Sequence, residues 1–419
     1  MTKADNYLYN DINHILHNGF IDQNPRPHYA DGKPAHTISV NHVIRSYDLD
    51  KGEFPICTLR PQAWKTGLRE LFAIYQNQSN KISEFERLGC KWWKDWALSD
   101  NTIGRSYPYN LESHRPNEMK KEIVHVDVRL VDEKFSKKLF TCEKRIVHGL
   151  GYLGNIEKVC NYTDAEICIL RKIWEKMFED TDGFVHQEWH SFETFLRDIR
   201  YVPQYFLARE DDFKGWKLSR KYFRSNAYSK ETCVFLNEGD IFDETNEDTR
   251  YELSRNQVIE LIRDIKENPY GRRHIMSFWN FANIDKKALV ECAYETIWNV
   301  RGEYLDMVLI QRSGDMLTAS GAGGINEIQY AALLMMIAKS VGIKAGKFTH
   351  FVANEQIYDR HIDAAHEIMH RYVMSITKKT TPTFILDTKK TDFFEFTIDD
   401  FCMNRYAPMK PQLTLELGI

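Results

Sequence analysis

LVECAYETIWNVRGEYLDMVLIQRSGDMLTASGAGGINEIQYA, residues 289–331, is the stretch that decides the fold and the chemistry of this chain. The alternating apolar residues after Cys292 predict a strand, and the apolar run 305–310 predicts a second. After a Gly-rich turn, Asn326 opens an amphipathic helix. The second strand ends at a group of polar residues: Gln311, Arg312, Ser313 and Asp315. A soft nucleophile, a permanent cation, a hydroxyl, a carboxylate and a carboxamide this close together predict covalent chemistry on an anionic polar heterocycle.

Composition and charge limit what this chain can be. It has 419 residues, 43% of them hydrophobic, which is enough for a large core and for two domains. A net charge of -4 does not suggest a nucleic-acid coat protein or a membrane-surface binder, so any phosphate must be held by a local arginine cluster. No stretch approaches ~18 consecutive apolar residues, so we expect no membrane partner.

The cysteines are scattered and form no C-x-x-C pair. They are Cys57, Cys90, Cys142, Cys160, Cys168, Cys233, Cys292 and Cys402. No secretory signal precedes them. We therefore predict no metal site, no disulfide framework and a location in a reducing cytoplasm.

The region before residue 117 contains several candidate site residues. Helical spacing predicts a helix over 1–19, and alternation predicts a strand over 37–48. The loop between them holds Arg26, which is either a solvated side chain or a phosphate ligand. A helix over 59–76 carries Glu70 close to its apolar stripe, where a carboxylate is either a paired structural residue or a general base whose pKa burial has raised.

Aromatic and basic pairs give two further candidates. Trp93 and Trp96 are one helical turn apart in KWWKDW and are either core residues or a platform for a flat ligand. Arg272 and Arg273 stand at the entry of a strand within 253–280. Such a pair either caps a solvated turn or binds a phosphate through two parallel hydrogen bonds.

The remaining C-terminal region is predicted to form a helix over 326–341, a strand over 347–353 and a further helix that carries Tyr358.

The segment 118–250 differs in composition from the rest of the chain, because it is rich in Lys, Glu, Asp and aromatics. We interpret it as an inserted, α-rich structural or interaction domain between two segments, 1–117 and 251–419, that belong together.

Ten motifs in order give the chain a specific resemblance over roughly two thirds of its length. They are DGKPAHTISV, AWKTGLRELF, WWKDW, TIGRSYPYNL, GRRHIMSFWN, ECAYETIW, QRSGDM, NEIQYAALLMMIA, IYDRHID and FTIDDF. In these motifs the chain resembles the thymidylate synthase family, which includes phage pyrimidine nucleotide hydroxymethylases. The resemblance implies an α/β (α+β) fold, with a large, twisted, mostly antiparallel sheet, helices on one face, and a homodimer.

The resemblance also implies how dUMP would be held. Cys292 would be the nucleophile, and Arg312 would lower its pKa and grip the phosphate. Asn326 would read the uracil edge, where an aspartate would suit cytosine. The remaining phosphate and sugar ligands would be Arg26, Ser313, Gln356, Tyr358 and, from the other subunit, Arg272 and Arg273.

The co-substrate implied by the resemblance is 5,10-methylenetetrahydrofolate, with no metal. Trp93, Trp96 and Asp315 would hold its pterin, and Glu70 and Tyr107 would manage protons through ordered water. Asp315 is thus expected both among the catalytic residues and in the folate site.

Departures from the family pattern bear on the product. Proline normally precedes the cysteine, where this chain has Glu291, and Gln356 replaces the usual sugar-binding histidine. The Gly-Asp pair ahead of it is Ala353-Asn354, and the loop from Asp315 to Asn326 is about two residues longer than usual. These changes and the large insert favour 5-hydroxymethyl-dUMP as product and a bacteriophage or other DNA virus as source.

Two alternatives stay open at this point. The retained tryptophans favour hydride transfer, which would give dTMP and dihydrofolate. The aromatic and basic run 213–228 motivates a third hypothesis, a catalytically inactive nucleic-acid-binding protein. The complete set of residues needed for the covalent step makes nucleic-acid binding the weakest of the three.

Overall fold

The computed structural model describes residues 1–112, 147–159, 161–237, 253–375 and 381–418, together with 122–123, 129 and 249–250. Its helices are α1 Lys3–Asn18, α2 Trp64–Leu71, α3 Ile82–Arg87, α4 Asp164–Met177, α5 Phe192–Asp198, α6 Tyr205–Glu210, α7 Gln257–Glu267, α8 Ile325–Val341 and α9 Ile362–Ser375. Its strands are β1 Phe20–Ile21, β2 Thr37–Asp48, β3 Glu122–Ile123, β4 Phe184–Val185, β5 Trp216–Ser219, β6 Ala227–Tyr228, β7 Val234–Asn237, β8 Thr249–Arg250, β9 Ile275–Ser277, β10 Ala293–Arg301, β11 Tyr304–Gln311, β12 Gly314–Asp315, β13 Lys344–Tyr358, β14 Thr383–Leu386 and β15 Phe401–Asn404. Within these ranges, no helix is long and apolar enough to cross a membrane.

Residue contacts divide the chain into two compact units. One comprises Met1–Leu111 and Leu261–Ile419, and the other comprises Glu112–Glu260. The sequence predicts domain boundaries after residues 117 and 250. Residues 117, 118 and 251 lie outside the described ranges. The assignment of 118–250 as an inserted accessory domain stays a prediction.

A mixed sheet forms the centre of the first unit. In the part of the chain that the structure describes, seven strands join it in the order β1-β2-β13-β11-β10-β9, with β12 paired to β13. The pairings of β13 with β11 and with β12 are parallel, and the other pairings are antiparallel. The predicted fold class, a large and mostly antiparallel sheet combined with helices, is confirmed.

The alternation of side chains along the strands gives this sheet one fully buried face. Trp298 lies opposite Met307, Met307 opposite Phe348, and Phe348 opposite Tyr47. All four side chains are buried. Helix α8 packs against β11 and β13, and α1 packs against β2. Successive side chains on a strand point to opposite faces, so this row fixes which face meets the helices.

The opposite face of the same strands carries a different row. Ile310 lies opposite Phe351, and Phe351 lies opposite Ile44. Ile44 is 61% exposed, and the other two side chains are only partly buried. An apolar row therefore runs across three central strands on the face away from α8.

Strand β13 corrects the prediction that Tyr358 lies on a helix. The strand predicted at 347–353 extends over Lys344–Tyr358, and α9 begins only at Ile362. The pairing with β2 continues to the last residue, where Tyr358 lies opposite Thr37. Hydrogen bonds with β2 outweigh the local helical pattern, because the neighbouring strand pairs with the backbone N–H and C=O groups of this segment.

The second unit has an aromatic core. Within the run 213–228, Phe213, Tyr222 and Phe223 are buried. Their rings pack against other residues of the unit, as in the contact of Phe213 with Phe235. These three of the five aromatic residues in the run are therefore core residues, whereas Trp216 and Tyr228 are only partly buried, which weakens the observation that motivated the nucleic-acid hypothesis.

A fully buried arginine on β2 forms ion pairs with residues of α1, α8 and β13. Arg45 forms ion pairs with Glu327 at 2.7 Å, Glu355 at 2.8 Å and Asp11 at 2.9 Å. Burial raises the pKa of Glu355 to about 7, although Arg45 opposes that rise. Burial acts in the same sense on Glu327, but Arg45 together with hydrogen bonds from His350 and Tyr47 outweighs burial and holds the pKa at about 2. The charge state of this cluster therefore depends on Arg45.

We expect Arg45→Met to destabilise the fold by about 3–5 kcal/mol near pH 8, because it leaves buried carboxylates without a compensating charge. The loss should be smaller near pH 5, where those carboxylates can take up protons. Denaturant unfolding at both pH values measures this loss in the free energy of unfolding. The control Arg301→Met removes an exposed pair with Asp306 and should cost less than about 1 kcal/mol. Equal effects of the two variants would contradict the prediction.

Candidate active site

A cavity of about 660 Å³ lies at one edge of the central sheet in the first unit. Many of the residues singled out in the sequence line it: Arg26, Glu70, Trp93, Trp96, Tyr107, Cys292, Arg312, Ser313, Asp315, Asn326, Gln356 and Tyr358. Arg272 and Arg273 do not line it; both are exposed. The cavity thus collects residues that are up to about 330 positions apart in the chain.

The strand ends explain this convergence. Cys292 directly precedes β10, Arg312 and Ser313 follow β11, and Gln356 and Tyr358 end β13. Since β11 and β13 run parallel and β10 runs antiparallel to β11, the start of β10 and the ends of the other two meet at the same edge. Sheet topology, rather than any local motif, forms the site.

The Cys292 thiol lies beside Arg312. The Arg312 Nη2 atom is 3.6 Å from Sγ. The guanidinium is held by the backbone, since Nε donates to the Glu291 carbonyl and Nη2 to the Val290 carbonyl, each at 2.9 Å. Burial raises the pKa of Cys292, and Arg312 lowers it. Formation of the thiolate, the reactive species, therefore depends on this arginine.

The Asn326 carboxamide is oriented by its neighbours. Gln311 Nε2 donates to Ser320 Oγ at 2.7 Å, and Ser320 Oγ donates to Asn326 Oδ1 at 3.1 Å. Asn326 Nδ2 donates to Gln329 Oε1 at 3.4 Å. The chain of donors identifies which atom of the amide is oxygen and which is nitrogen, so Asn326 presents a defined acceptor and donor.

Glu70 has a buried carboxyl group at the far side of the cavity. Trp93 Nε1 donates a short hydrogen bond to Oε1, and Gln329 Nε2 donates to Oε2 at 2.5 Å. Burial raises the pKa of Glu70, while hydrogen bonds from Trp92, Gln329 and Trp93 partly offset that rise. A carboxyl group in this setting fits both readings made from the sequence, because it is structurally paired and has a raised pKa.

Tyr107 connects the aromatic wall of the cavity to the thiol. Its Oη accepts the backbone N–H of Cys292 at 3.1 Å. The ring contacts Trp93 and Phe278 edge-on, with centroids 5.8 and 5.3 Å away. Burial raises the pKa of Tyr107 well above its ordinary value, so the phenol stays protonated at neutral pH.

The remaining cavity residues also contact one another or their neighbours. Asp315 accepts from Thr318 Oγ1 at 2.6 Å. Trp93 and Trp96 stand edge to face, with centroids 6.1 Å apart at 65°, rather than as one flat platform. Ser313 Oγ donates to Gln356 Oε1 at 3.5 Å. Within the described ranges, no group of three or more His, Cys, Asp and Glu side chains is placed to hold a metal ion.

Sequence reasoning missed several residues of the site. Gln329 lies one turn after Asn326 on α8, a spacing that could have pointed to it. Its contact with Glu70 depends on the packing of α2 against α8. Leu417 and Gly418, near the end of the chain, also line the cavity, and no local pattern marks them. The buried partners of Glu291 were also missed.

Comparison with known proteins adds to this geometry. The family model for thymidylate synthase matches residues 6–142 and 173–418, and so includes much of the segment 118–250. Thymidylate synthases of Lactococcus lactis subsp. cremoris (strain SK11) and Streptococcus suis (strain 05ZYH33) are each 27% identical over 427 aligned residues that cover both chains fully. The thermostable thymidylate synthase A of Bacillus subtilis has the same fold, with a TM-score of 0.60, 23% identity and 99% of each chain covered.

The fold and the cavity define an enzyme with a partly buried thiol beside an arginine. The chain belongs to the thymidylate synthase family, whose members are methyltransferases that act on dUMP.

We expect Glu70→Gln to lower turnover at least about 100-fold, the usual loss of a general base. The same change should raise the thermal midpoint near pH 8 but not near pH 5. The reason is that the pKa of Glu70 is higher in the native state than in the unfolded chain. The stability that this difference contributes is fully present below the unfolded pKa and is lost as pH rises through the native pKa.

Thermal unfolding at both pH values checks this. The control Glu303→Gln removes an exposed carboxylate that is paired with Lys344 and should change neither quantity. A thermal shift of Glu70→Gln that is the same at both pH values would refute the prediction.

Proposed function

We propose that this enzyme forms dTMP and dihydrofolate from dUMP and 5,10-methylenetetrahydrofolate. The observation that carries the proposal is the single cavity that brings together Cys292 with Arg312, the oriented Asn326, and the folate-side group of Trp93, Trp96 and Asp315. Each set is needed for a different part of the reaction, and all open onto one space.

The covalent step follows from the position of Cys292. The thiolate adds to C6 of the uracil ring, which gives C5 the character of an enolate carbon and lets it attack the methylene group of the folate. Arg312 stabilises the thiolate before the attack and is available to the phosphate afterwards. Loss of the C5 proton and cleavage of the bond between the folate nitrogen and the methylene carbon leave an exocyclic methylene and tetrahydrofolate. Hydride transfer from tetrahydrofolate to that carbon then expels the thiolate and yields dTMP and dihydrofolate.

Substrate choice follows from the fixed Asn326 amide. Uracil offers an N3–H donor and an O4 acceptor, and a carboxamide supplies an acceptor and a donor in return. Cytosine reverses both groups. An amide whose orientation is held by Ser320 and Gln329 cannot flip without loss of these bonds, so it disfavours dCMP.

Methyl transfer is preferred to the hydroxymethyl product that the sequence departures favoured. The curated relatives are named thymidylate synthases. The departure at Glu291 is directed away from the cavity and does not line it, while Gln356 does. The residues expected to hold the folate all line the cavity. Attack by water on the exocyclic methylene would compete with hydride transfer, and each ~1.4 kcal/mol between the two barriers changes the ratio tenfold.

A product assay with dUMP and 5,10-methylenetetrahydrofolate tests the proposal. We expect dTMP by mass and a rise in absorbance near 340 nm from dihydrofolate. The variant Cys292→Ser should lose turnover by at least about 1000-fold, since the nucleophile is removed. A product of 5-hydroxymethyl-dUMP with no absorbance change would show that water attack dominates, and no product from dUMP or dCMP would overturn the enzyme assignment.

The positions of Arg272 and Arg273 and an apolar sheet face support a homodimer. Arg272 and Arg273 are exposed and lie outside the cavity, as expected for side chains that serve a second copy. The apolar row of Ile310, Phe351 and Ile44 offers a partly exposed sheet face, which suits a two-fold interface. We propose that two copies pair through this face and that each supplies its two arginines to the phosphate site of the other.

Subunit complementation tests the exchange of arginines. Cys292→Ser and the double variant Arg272→Ala/Arg273→Ala should each be inactive alone. An equal mixture, unfolded and refolded together, should recover roughly a quarter of the parent activity. Half of the dimers would then be mixed, with one complete site each. As a control, Cys292→Ser mixed with Cys292→Ala should recover nothing. No recovery in the first mixture would contradict the shared site.

The other assignments stay predictions. They are the accessory role of 118–250, the viral source and the cytoplasmic location.

A further inference from the structure

A buried ion pair lies directly beside the nucleophile. Lys287 Nζ is 2.5 Å from Glu291 Oε2, and the two side chains are 1% and 0% exposed. Glu291 is the neighbour of Cys292 in the chain. A buried ion pair is costly to desolvate and persists only when further hydrogen bonds satisfy its remaining atoms.

The second carboxylate oxygen of Glu291 supplies these bonds. Oε1 accepts the backbone N–H of Tyr107 at 2.9 Å and Asn110 Nδ2 at 3.2 Å. Tyr107 has a positive φ of 26°, a backbone conformation that a residue with a side chain rarely adopts unless its surroundings hold it. The carboxylate therefore fixes an unfavourable backbone geometry at Tyr107.

These contacts form a closed ring that includes the nucleophile. The Glu291 side chain holds the backbone of Tyr107, and the Tyr107 hydroxyl accepts the N–H of Cys292, the residue after Glu291. Glu291 does not line this cavity, and Lys287 lines an adjoining pocket that shares Arg26 and Arg312 with it, so Glu291 acts on the site through Tyr107 and Cys292.

The charge of the pair matters as well as its geometry. The groups that act on Cys292 are Arg312 and Arg26, which favour the thiolate, Glu291, which disfavours it, and the phenols of Tyr107 and Tyr358. A lone carboxylate next to the thiol would suppress its ionisation. With Lys287 in place, the pair presents a dipole rather than a net negative charge.

We propose that the Lys287–Glu291 ion pair is a positioning device for the nucleophile, in which Glu291 holds Tyr107 against the Cys292 backbone and Lys287 neutralises the carboxylate beside the thiol. The inference rests on the proposed function only for the role of Cys292 as nucleophile. Thiol ionisation can be measured without either substrate, so a failure of this inference is distinguishable from a failure of the proposed function.

Alkylation of Cys292 by iodoacetamide as a function of pH is the test. Cys168 and Cys402 are exposed and will also react, so the rate is read by mass spectrometry of the peptide that contains Cys292. We expect Lys287→Met to move the midpoint up by at least about half a pH unit and to slow alkylation near pH 7.5 about threefold. Lys286→Met, an exposed neighbour, is the matched control and should match the parent.

The double variant separates charge from structure. Lys287→Met/Glu291→Gln removes both charges and should react within about twofold of the parent. A midpoint for Lys287→Met equal to that of Lys286→Met would overturn the proposal. So would a double variant as slow as Lys287→Met, since the slowing would then come from lost packing. If Lys287→Met does not fold, Glu291→Gln serves alone: it should accelerate alkylation, and an unchanged or slower rate would overturn the proposal.

Release of tritium from dUMP labelled at C5 tests the positioning of Tyr107. Glu291→Ala removes the acceptor of the Tyr107 N–H and should lower kcat at least about tenfold with little change in KM for dUMP. Glu291→Gln retains an acceptor oxygen and should restore most of kcat. Equal losses in the two variants, or a loss confined to KM, would count against the positioning of Tyr107.

Discussion

The parallel pairing of β11 with β13 is the constraint on which the rest of this structure depends. It places the ends of these two strands at the same edge, and the antiparallel neighbours β10 and β2 then begin at that edge. Cys292, Arg312 and the end of β13 that carries Gln356 and Tyr358 are brought together by backbone hydrogen bonds, without a local motif that contains them all. Parallel strands need a long connection, and here α8 is that connection and also carries Asn326.

The same connection also links the cavity to the buried core. Helix α8 covers the buried face of β11 and β13, and it supplies Glu327 to the Arg45 cluster below and Asn326 to the cavity. From Arg45 and Glu327, contacts through His350 and Gln311 lead to Ser320 and then to the Asn326 amide. Buried polar groups of this kind fix a single arrangement only when each has its partners. Asn326 is therefore linked to the buried core through these contacts.

The region around Cys292 combines forces that oppose one another. Burial and the Glu291 carboxylate disfavour the thiolate, and Arg312 and Arg26 favour it, while Lys287 is paired with that carboxylate. On the proposal made above, Glu291 affects how Cys292 is held rather than what lines the cavity.

Much of this molecule could be predicted from its sequence, because periodicity and residue chemistry are local properties. The strand 37–48, the helix over 326–341 and the grouping of Cys292 with Arg312 and Asn326 follow from spacing and from what each side chain can do. Only the tertiary structure decided that Tyr358 ends a strand, since pairing with β2 outweighed the local pattern. It alone placed Gln329 against Glu70, gave Glu291 its partners Lys287 and Tyr107, and brought Gly418 to the cavity. Most of these depend on groups distant in the chain, whose contacts are set by how the sheet and helices pack, although Lys287 is only four residues before Glu291.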